Sequence, residues 1–333
     1  MLNRLSLYSR WDALREQLAS DAEADSSYRA YFSCPFGSTY ISLDIAGNEN
    51  LMLVFPENIL SDYCLPKVYG LSFSKKIVPN VSKEKPCLVI GLSPDFSDVK
   101  EAFEAFSVTL IGRLSQIEHP IDALNEISEV CTDYADFFKK GNKNSFSIQQ
   151  EQGLFGELLI LQETIKKIGE SAVAYWTGPE KNRHDFSFEN KAAFEVKTSL
   201  KQGRRIVTIS NDVQLNNIDD CPLFLVLYIL EANPSGLTVS DLASSIYDSI
   251  TDFNYKKDFE RKLLEIGFIL NSTETSHHFC IIDRFNYLVD DNFPRLTNEN
   301  IRNISQNIFD VKYKINLDGY DTYSGDIYEF VRA

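Results

Sequence analysis

The sequence predicts a mixed α/β chain, α+β overall, and three observations carry that expectation. Apolar positions recur with a period of two up to about residue 110, at helical steps from Leu154 to Ile168, and again in alternation on either side of a turn between Arg183 and Thr198. In the first stretch Ile41, Leu43 and Ile45 alternate with polar residues, 46–50 is turn-rich, and 51–55 runs on before Pro56, as a hairpin would. The apolar run 87–92 closes at Ser93-Pro94-Asp95, and 99–114 then changes to helical spacing. These features predict a β-rich N-terminal domain over 1–145, serving recognition or assembly and ending in the polar segment 139–144.

A core domain is expected over 146–232. Ser147 with Gln150 forms a capping-box signature, Leu154, Leu158, Leu161, Ile165 and Ile168 make a helical stripe, and Gly169 closes it. Asn233-Pro234-Ser235-Gly236 reads as a second boundary, so 233–333 is expected to be an α+β C-terminal domain. There Thr238 and Asp241 start one helix with the stripe Leu242, Ile246 and Ile250, and a second helix runs from about Tyr255 to Gly267. The strand-like segments 279–289 and 311–317 follow; two helices and then a hairpin are compatible with a winged-helix-like module.

Charge narrows the function classes. The 333 residues carry 33 Lys and Arg against 48 Asp and Glu, a net of −15, which opposes non-specific coating of nucleic acid or anionic membrane but leaves room for a local basic site. Residues 138–205 hold 12 basic and 8 acidic side chains, a net of +4, so the remainder carries −19. The longest apolar run, 222–230, falls well short of the roughly 20 residues that span a bilayer. The first 20 residues are interrupted by Arg4, Arg10, Asp12, Arg15 and Glu16, unlike a secretory signal, so a cytoplasmic location is expected. Six single cysteines without a CxxC pair read as reduced core residues.

The chemistry is concentrated between Gly153 and Gln214. Glu157 falls at the edge of the apolar stripe, where an inward-facing charge needs a partner; snorkelling out to solvent is the bland alternative. On the predicted hairpin, Phe186 and Phe188 point opposite to Asp185, and Phe194 and Val196 opposite to Glu195 and Lys197. One side packs while the other gathers two acids and a lysine, although Glu195 and Lys197 could form an ordinary ion pair on a solvated face. A hard cation such as Mg²⁺ takes carboxylate and carbonyl oxygens and keeps several waters. Asp185, Glu195 and the Val196 carbonyl could supply its ligands, with Glu157 adding one directly or through water, and Lys197 could orient the attacking water and offset charge on the phosphate. Lys201, Arg204 and Arg205, in the loop beyond, are natural phosphate contacts.

This set, a helical Glu157, Asp185 at a strand start and Glu195-Val196-Lys197 on the next strand, resembles the PD-(D/E)XK nuclease superfamily. Further motifs resemble an uncharacterised bacterial PD-(D/E)XK family found near restriction or phage-defence genes. They are Gly153-Leu154-Phe155-Gly156-Glu157-Leu158, Trp176-Thr177-Gly178-Pro179, His184-Asp185-Phe186, Glu195-Val196-Lys197-Thr198, Ile209-Ser210 with Gln214-Leu215, and Tyr287 with Phe293-Pro294-Arg295-Leu296. His184 stands where many members carry proline. The resemblance implies a restriction-endonuclease-like central mixed sheet flanked by helices. It also implies a Mg²⁺- or Mn²⁺-dependent DNA endonuclease acting in restriction or anti-phage defence, with DNA and other defence proteins as partners and a homodimer as an option. It places Gln214 near the active site, where holding substrate and a plain turn-to-helix role are both open. The alternatives are a catalytically silent DNA-binding or assembly subunit, and an acidic α/β protein whose ExK is coincidence; scattered positions of Glu157, Asp185, Glu195 and Lys197 would favour the latter.

Overall fold

Alternating apolar residues in the first third build a sheet in the computed structural model, which describes residues 4–20, 28–43, 47–78, 81, 86–93, 100–140, 146–200, 204–211, 214–216, 221–270, 277–296 and 311–332. The chain divides into two compact units, Met1–Ser145 and Phe146–Ala333. In the first, β1 (Tyr28–Cys34), β2 (Gly37–Leu43), β3 (Glu49–Val54), β4 (Leu71–Lys76) and β5 (Cys87–Leu92) form an antiparallel sheet in the order β1-β2-β3-β5-β4. The expected hairpin is β2–β3, with Ile41 opposite Leu51.

This unit holds more helix than its β-rich reading allows: α1 (Arg4–Ser20), the short α2 (Glu57–Leu60), α3 (Lys100–Leu114) and α4 (Pro120–Lys140). In α4, Ala123, Ile127, Val130, Tyr134 and Phe138 are buried at three- and four-residue steps, the period of an amphipathic helix. Arg113 on α3 answers α4 with bonds to Glu126 (3.2 Å) and Asp133 (3.0 Å). Each charge in this buried set therefore has an opposite partner.

The second unit begins with α5 (Ile148–Ile168), capped by the reciprocal Ser147–Gln150 box and closed at Gly169, whose φ of +88° suits glycine. A 3-10 turn (Glu170–Tyr175) leads to β6 (Phe186–Phe188) and β7 (Ala192–Leu200), which pair antiparallel with Phe186 opposite Phe194. Then come β8 (Ile206–Ile209), β9 (Leu223–Leu237), α6 (Val239–Ser249), α7 (Phe253–Glu265), β10 (Phe279–Leu288), β11 (Tyr313–Asn316) and α8 (Glu329–Arg332). The main sheet runs β10-β9-β7-β6; β7 and β9 are parallel and the other neighbours antiparallel, so it is mixed. Residues 223–228 of β9 are all buried, as expected of a strand covered on both faces. One face packs Leu158, Phe194, Val196, Tyr228 and Phe259; the other packs Ala193, Val207, Leu225, Leu227 and Tyr287.

The C-terminal segment departs from the winged-helix reading. Asn233–Gly236 does not open a new module but lies inside β9, and β10 and β11 pair with β9 and β8 rather than with each other. Val239, Leu242, Ile246 and Phe259 from α6 and α7 join the core of α5. The cause is the bare apolar edge of β9, which takes β10 as its partner. Gly236 permits the approach, because a Cβ there would stand 2.4 Å from the Phe279 carbonyl. Among the described residues no helix is long and apolar enough to cross a membrane.

A second close approach sets α5 on β7. A Cβ at Gly156 would meet Thr198 Cγ2 at 2.6 Å and Val196 Cγ1 at 3.2 Å. Gly156→Ala should therefore cost about 1–3 kcal/mol through overpacking. Adding Thr198→Ala should return part of that loss, a coupling measurable by urea denaturation of the two single variants and the double variant.

Candidate active site

Strand pairing ends where the chemistry begins. The β6–β7 register stops at Phe186–Phe194, and beyond it the Val196 N–H donates to Asp185 Oδ2 at 2.7 Å, so a side chain replaces the next rung of the ladder. Alternation along β7 sends Phe194 and Val196 into the α5 core and leaves Glu195 and Lys197 on the other side. There Lys197 Nζ donates to Glu195 Oε1 at 2.6 Å. Glu157 on α5 accepts from Trp176 Nε1 at 2.8 Å. The link between helix and hairpin is Gly178: a Cβ there would stand 2.7 Å from Glu157 Oε2 and 3.3 Å from Asp185 Oδ1. A single glycine thus faces both carboxylates, and any larger residue would enter the space they share.

The charges respond to being gathered. Burial and the nearby Asp185 hold the Glu157 carboxyl well above its usual range, with the Trp176 bond opposing. Burial also raises Asp185, against the pull of Lys197 and the Val196 N–H. Glu195 is pushed up to about 8, first by burial and then by Asp185. Burial works against the Lys197 ammonium, yet the Glu195 and Asp185 carboxylates hold its pKa above the ordinary value, so it stays cationic at neutral pH. Three acids and one ammonium therefore influence one another directly, and Glu157, Asp185, Glu195 and Lys197 converge.

The donor set fits a hard divalent cation. Glu195 Oε2 is buried without a hydrogen-bond partner, a polar oxygen costly to leave unmatched. Asp185 Oδ1 lies toward Gly178 while Oδ2 is held by Val196. Among the described residues no three His, Cys, Asp or Glu side chains form a ready metal cage. Asp185 and Glu195, with the Val196 carbonyl, are the groups that would hold such an ion, with waters completing the shell, as Mg²⁺ prefers.

Of the other expected residues, Arg205 and Gln214 are tied into the scaffold. Lys201 lies outside the described residues. Arg204 is exposed. Expected as a phosphate contact, Arg205 has internal partners instead: Nη1 donates to Tyr287 Oη at 3.0 Å, its backbone N–H donates to Asp318, and its guanidinium lies 4.7 Å over Phe285. Gln214 Oε1 accepts from the Ser210 N–H at 2.8 Å, closing a local turn. His184 is buried, and burial and Arg183 push its pKa down to about 4, so it is neutral at pH 7.

Two contributors were not assigned from sequence. Trp176 reads as core packing and is fully buried, but its indole N–H also anchors Glu157. Lys262 on α7 is buried and donates to the carbonyls of Trp176 (2.6 Å) and Val173 (3.1 Å), fixing the end of the 3-10 turn. The motif Trp176-Thr177-Gly178-Pro179 marked the first contributor; nothing local in α7 marks the second.

Two outcomes follow from this electrostatic arrangement. Between an unfolded carboxyl pKa near 4.3 and the folded value of about 8 for Glu195, the folded state holds a proton that the unfolded state has lost. That stability is complete below the unfolded value and disappears as pH rises through the folded one. In EDTA the melting temperature should fall from pH 5 to pH 8, and Glu195→Gln should flatten the fall. Separately, Lys262→Met should lower the unfolding free energy by about 1–3 kcal/mol by stranding buried carbonyls, as read by urea denaturation.

No curated protein matches the chain, and no solved structure does. A family model matches residues 7–318, and its family is described as "Putative PD-(D/E)XK family member" (DUF4420). Because that match takes in Glu157, Asp185, Glu195 and Lys197 and nearly the whole chain, the protein belongs to this PD-(D/E)XK family.

Proposed function

We propose that this protein is a DNA endonuclease that hydrolyses phosphodiesters with the help of Mg²⁺ or Mn²⁺. The observation that carries the reading is the convergence of Glu157, Asp185, Glu195 and Lys197 around the unpartnered Glu195 Oε2. When bound, the cation would polarise the scissile phosphate and make a coordinated water more acidic. The Val196 N–H holds one oxygen of Asp185 and so orients the carboxylate that faces the site. Lys197 supplies the ammonium of the cluster among the described residues; placed beside a phosphate, it would orient the attacking water and stabilise negative charge on the transferring group. Glu157, restrained by Trp176, would hold a water or a further ligand position.

Family membership supports the nuclease assignment. The motif resemblance to proteins found near restriction and phage-defence genes supports work in the cytoplasm against foreign DNA, with other defence proteins as partners. A second reading, a catalytically silent DNA-binding or assembly subunit, draws support from the Glu195–Lys197 ion pair, which satisfies the lysine without substrate.

Plasmid and linear DNA incubated with Mg²⁺, Mn²⁺ or EDTA separate the two. Metal-dependent cleavage is expected, falling by at least about 100-fold in Lys197→Ala and Asp185→Asn. DNA binding with no cleavage under any of these conditions would leave the silent-subunit reading standing.

A further inference from the structure

The site just described is acidic, and a polyanion must still be brought to it. The segment between Trp176 and Asp185 lies against the carboxylates, since its Gly178 faces both Glu157 and Asp185. It is tightly fixed. The Thr177 and Gly178 N–H groups donate to the Asp185 carbonyl at 2.8 and 3.0 Å, the Lys181 N–H donates to the Gly178 carbonyl at 2.9 Å, and Thr177 Oγ1 donates to the His184 carbonyl at 2.9 Å. From outside, Lys262 holds the Trp176 carbonyl, and Glu180 pairs with Arg261 at 3.1 Å and Lys262 at 3.5 Å. The acid of the loop is thereby neutralised by α7. Its two cations, Lys181 and Arg183, are exposed, and no ion pair joins either to another described residue.

Lys181 carries a further signature. Its φ is +58°, in the left-handed region that glycine and asparagine enter at little cost and a lysine does not. A long cationic side chain at a strained turn position, three residues after the glycine that faces the acidic cluster, points to a use for the charge itself.

We propose that the 177–183 loop is the phosphate-holding rim of the site, with Lys181 and Arg183 contacting the backbone of duplex DNA next to the scissile phosphate. The inference rests on the nuclease reading and deepens it. Three carboxylates repel a phosphodiester, and a chain of net charge −15 offers little general attraction. Exposed cations on this held loop would supply a local, sequence-independent hold that sets the register of the strand without reading bases.

The test is DNA binding by the full chain with Ca²⁺ in place of Mg²⁺, measured by fluorescence anisotropy on a duplex over a salt series. In the double variant Lys181→Gln/Arg183→Gln, the slope of log K against log salt should become shallower by about 1–2, roughly 0.9 for each phosphate contact removed. Affinity at low salt should fall about tenfold or more on the same basis. A charge-matched control, Lys139→Gln/Lys166→Gln, should leave the slope as it is in the parent. Lys181→Gly should melt at or above the parent temperature, because it relieves the left-handed turn, and yet bind DNA more weakly. A slope unchanged in the double variant, or changed equally in the control, overturns the rim assignment while the nuclease reading stands. A parent chain that binds no DNA under these conditions removes both.

Discussion

Among the described residues three carboxyl groups share one ammonium, and the surrounding architecture is organised by that imbalance. Taking Glu157, Asp185 and Glu195 out of water is costly, and each raises the cost for the others. Neutral donors relieve part of it: the Trp176 indole serves Glu157 and the Val196 amide serves Asp185. Lys197 compensates Glu195 on one oxygen only, leaving Oε2 unmatched. Such a cluster favours cations and repels phosphate. Its stability and its chemistry both depend on how many of these carboxyls are ionised.

That charge is held in place by elements distant in sequence. The closeness of α5 to β7 depends on the missing side chain of Gly156, and the closeness of the 177–183 loop to the acids on the missing side chain of Gly178. The loop in turn depends on α7, through Lys262 at the Trp176 carbonyl and through the Glu180 ion pairs. A helix far downstream of Glu195 thus sets where the donor to Glu157 lies.

Local patterns were legible and long-range ones were not. The Ser147–Gln150 and Thr238–Asp241 caps, the β2–β3 hairpin and the β6–β7 hairpin with its two faces depend on neighbours a few residues apart, and the structure contains each of them. The four residues that converge drew notice because a charge on an apolar helix edge and an acid–lysine pair on a strand both break the local hydrophobic rule. The internal partners of Arg205, Tyr287 and Phe285, gave no signal in its own loop because they come from β10. Lys262 gave no signal, since a lysine on an amphipathic helix ordinarily faces solvent. Pro234 suggested a boundary, but β9 pairs with β10 only as far as Ala232, so the missing amide of Pro234 breaks no rung of that register.

The course of β9 also has a consequence for synthesis. Its apolar residues pair on one side with β7, made earlier, and on the other with β10, which begins only at Phe279 after two helices have been made. A chain emerging from the ribosome therefore carries one open, Leu- and Val-rich strand edge until β10 arrives, and such edges are where nascent chains stick to one another. The time for which this edge of the second unit stays open is set by how fast residues 238–288 are translated and docked.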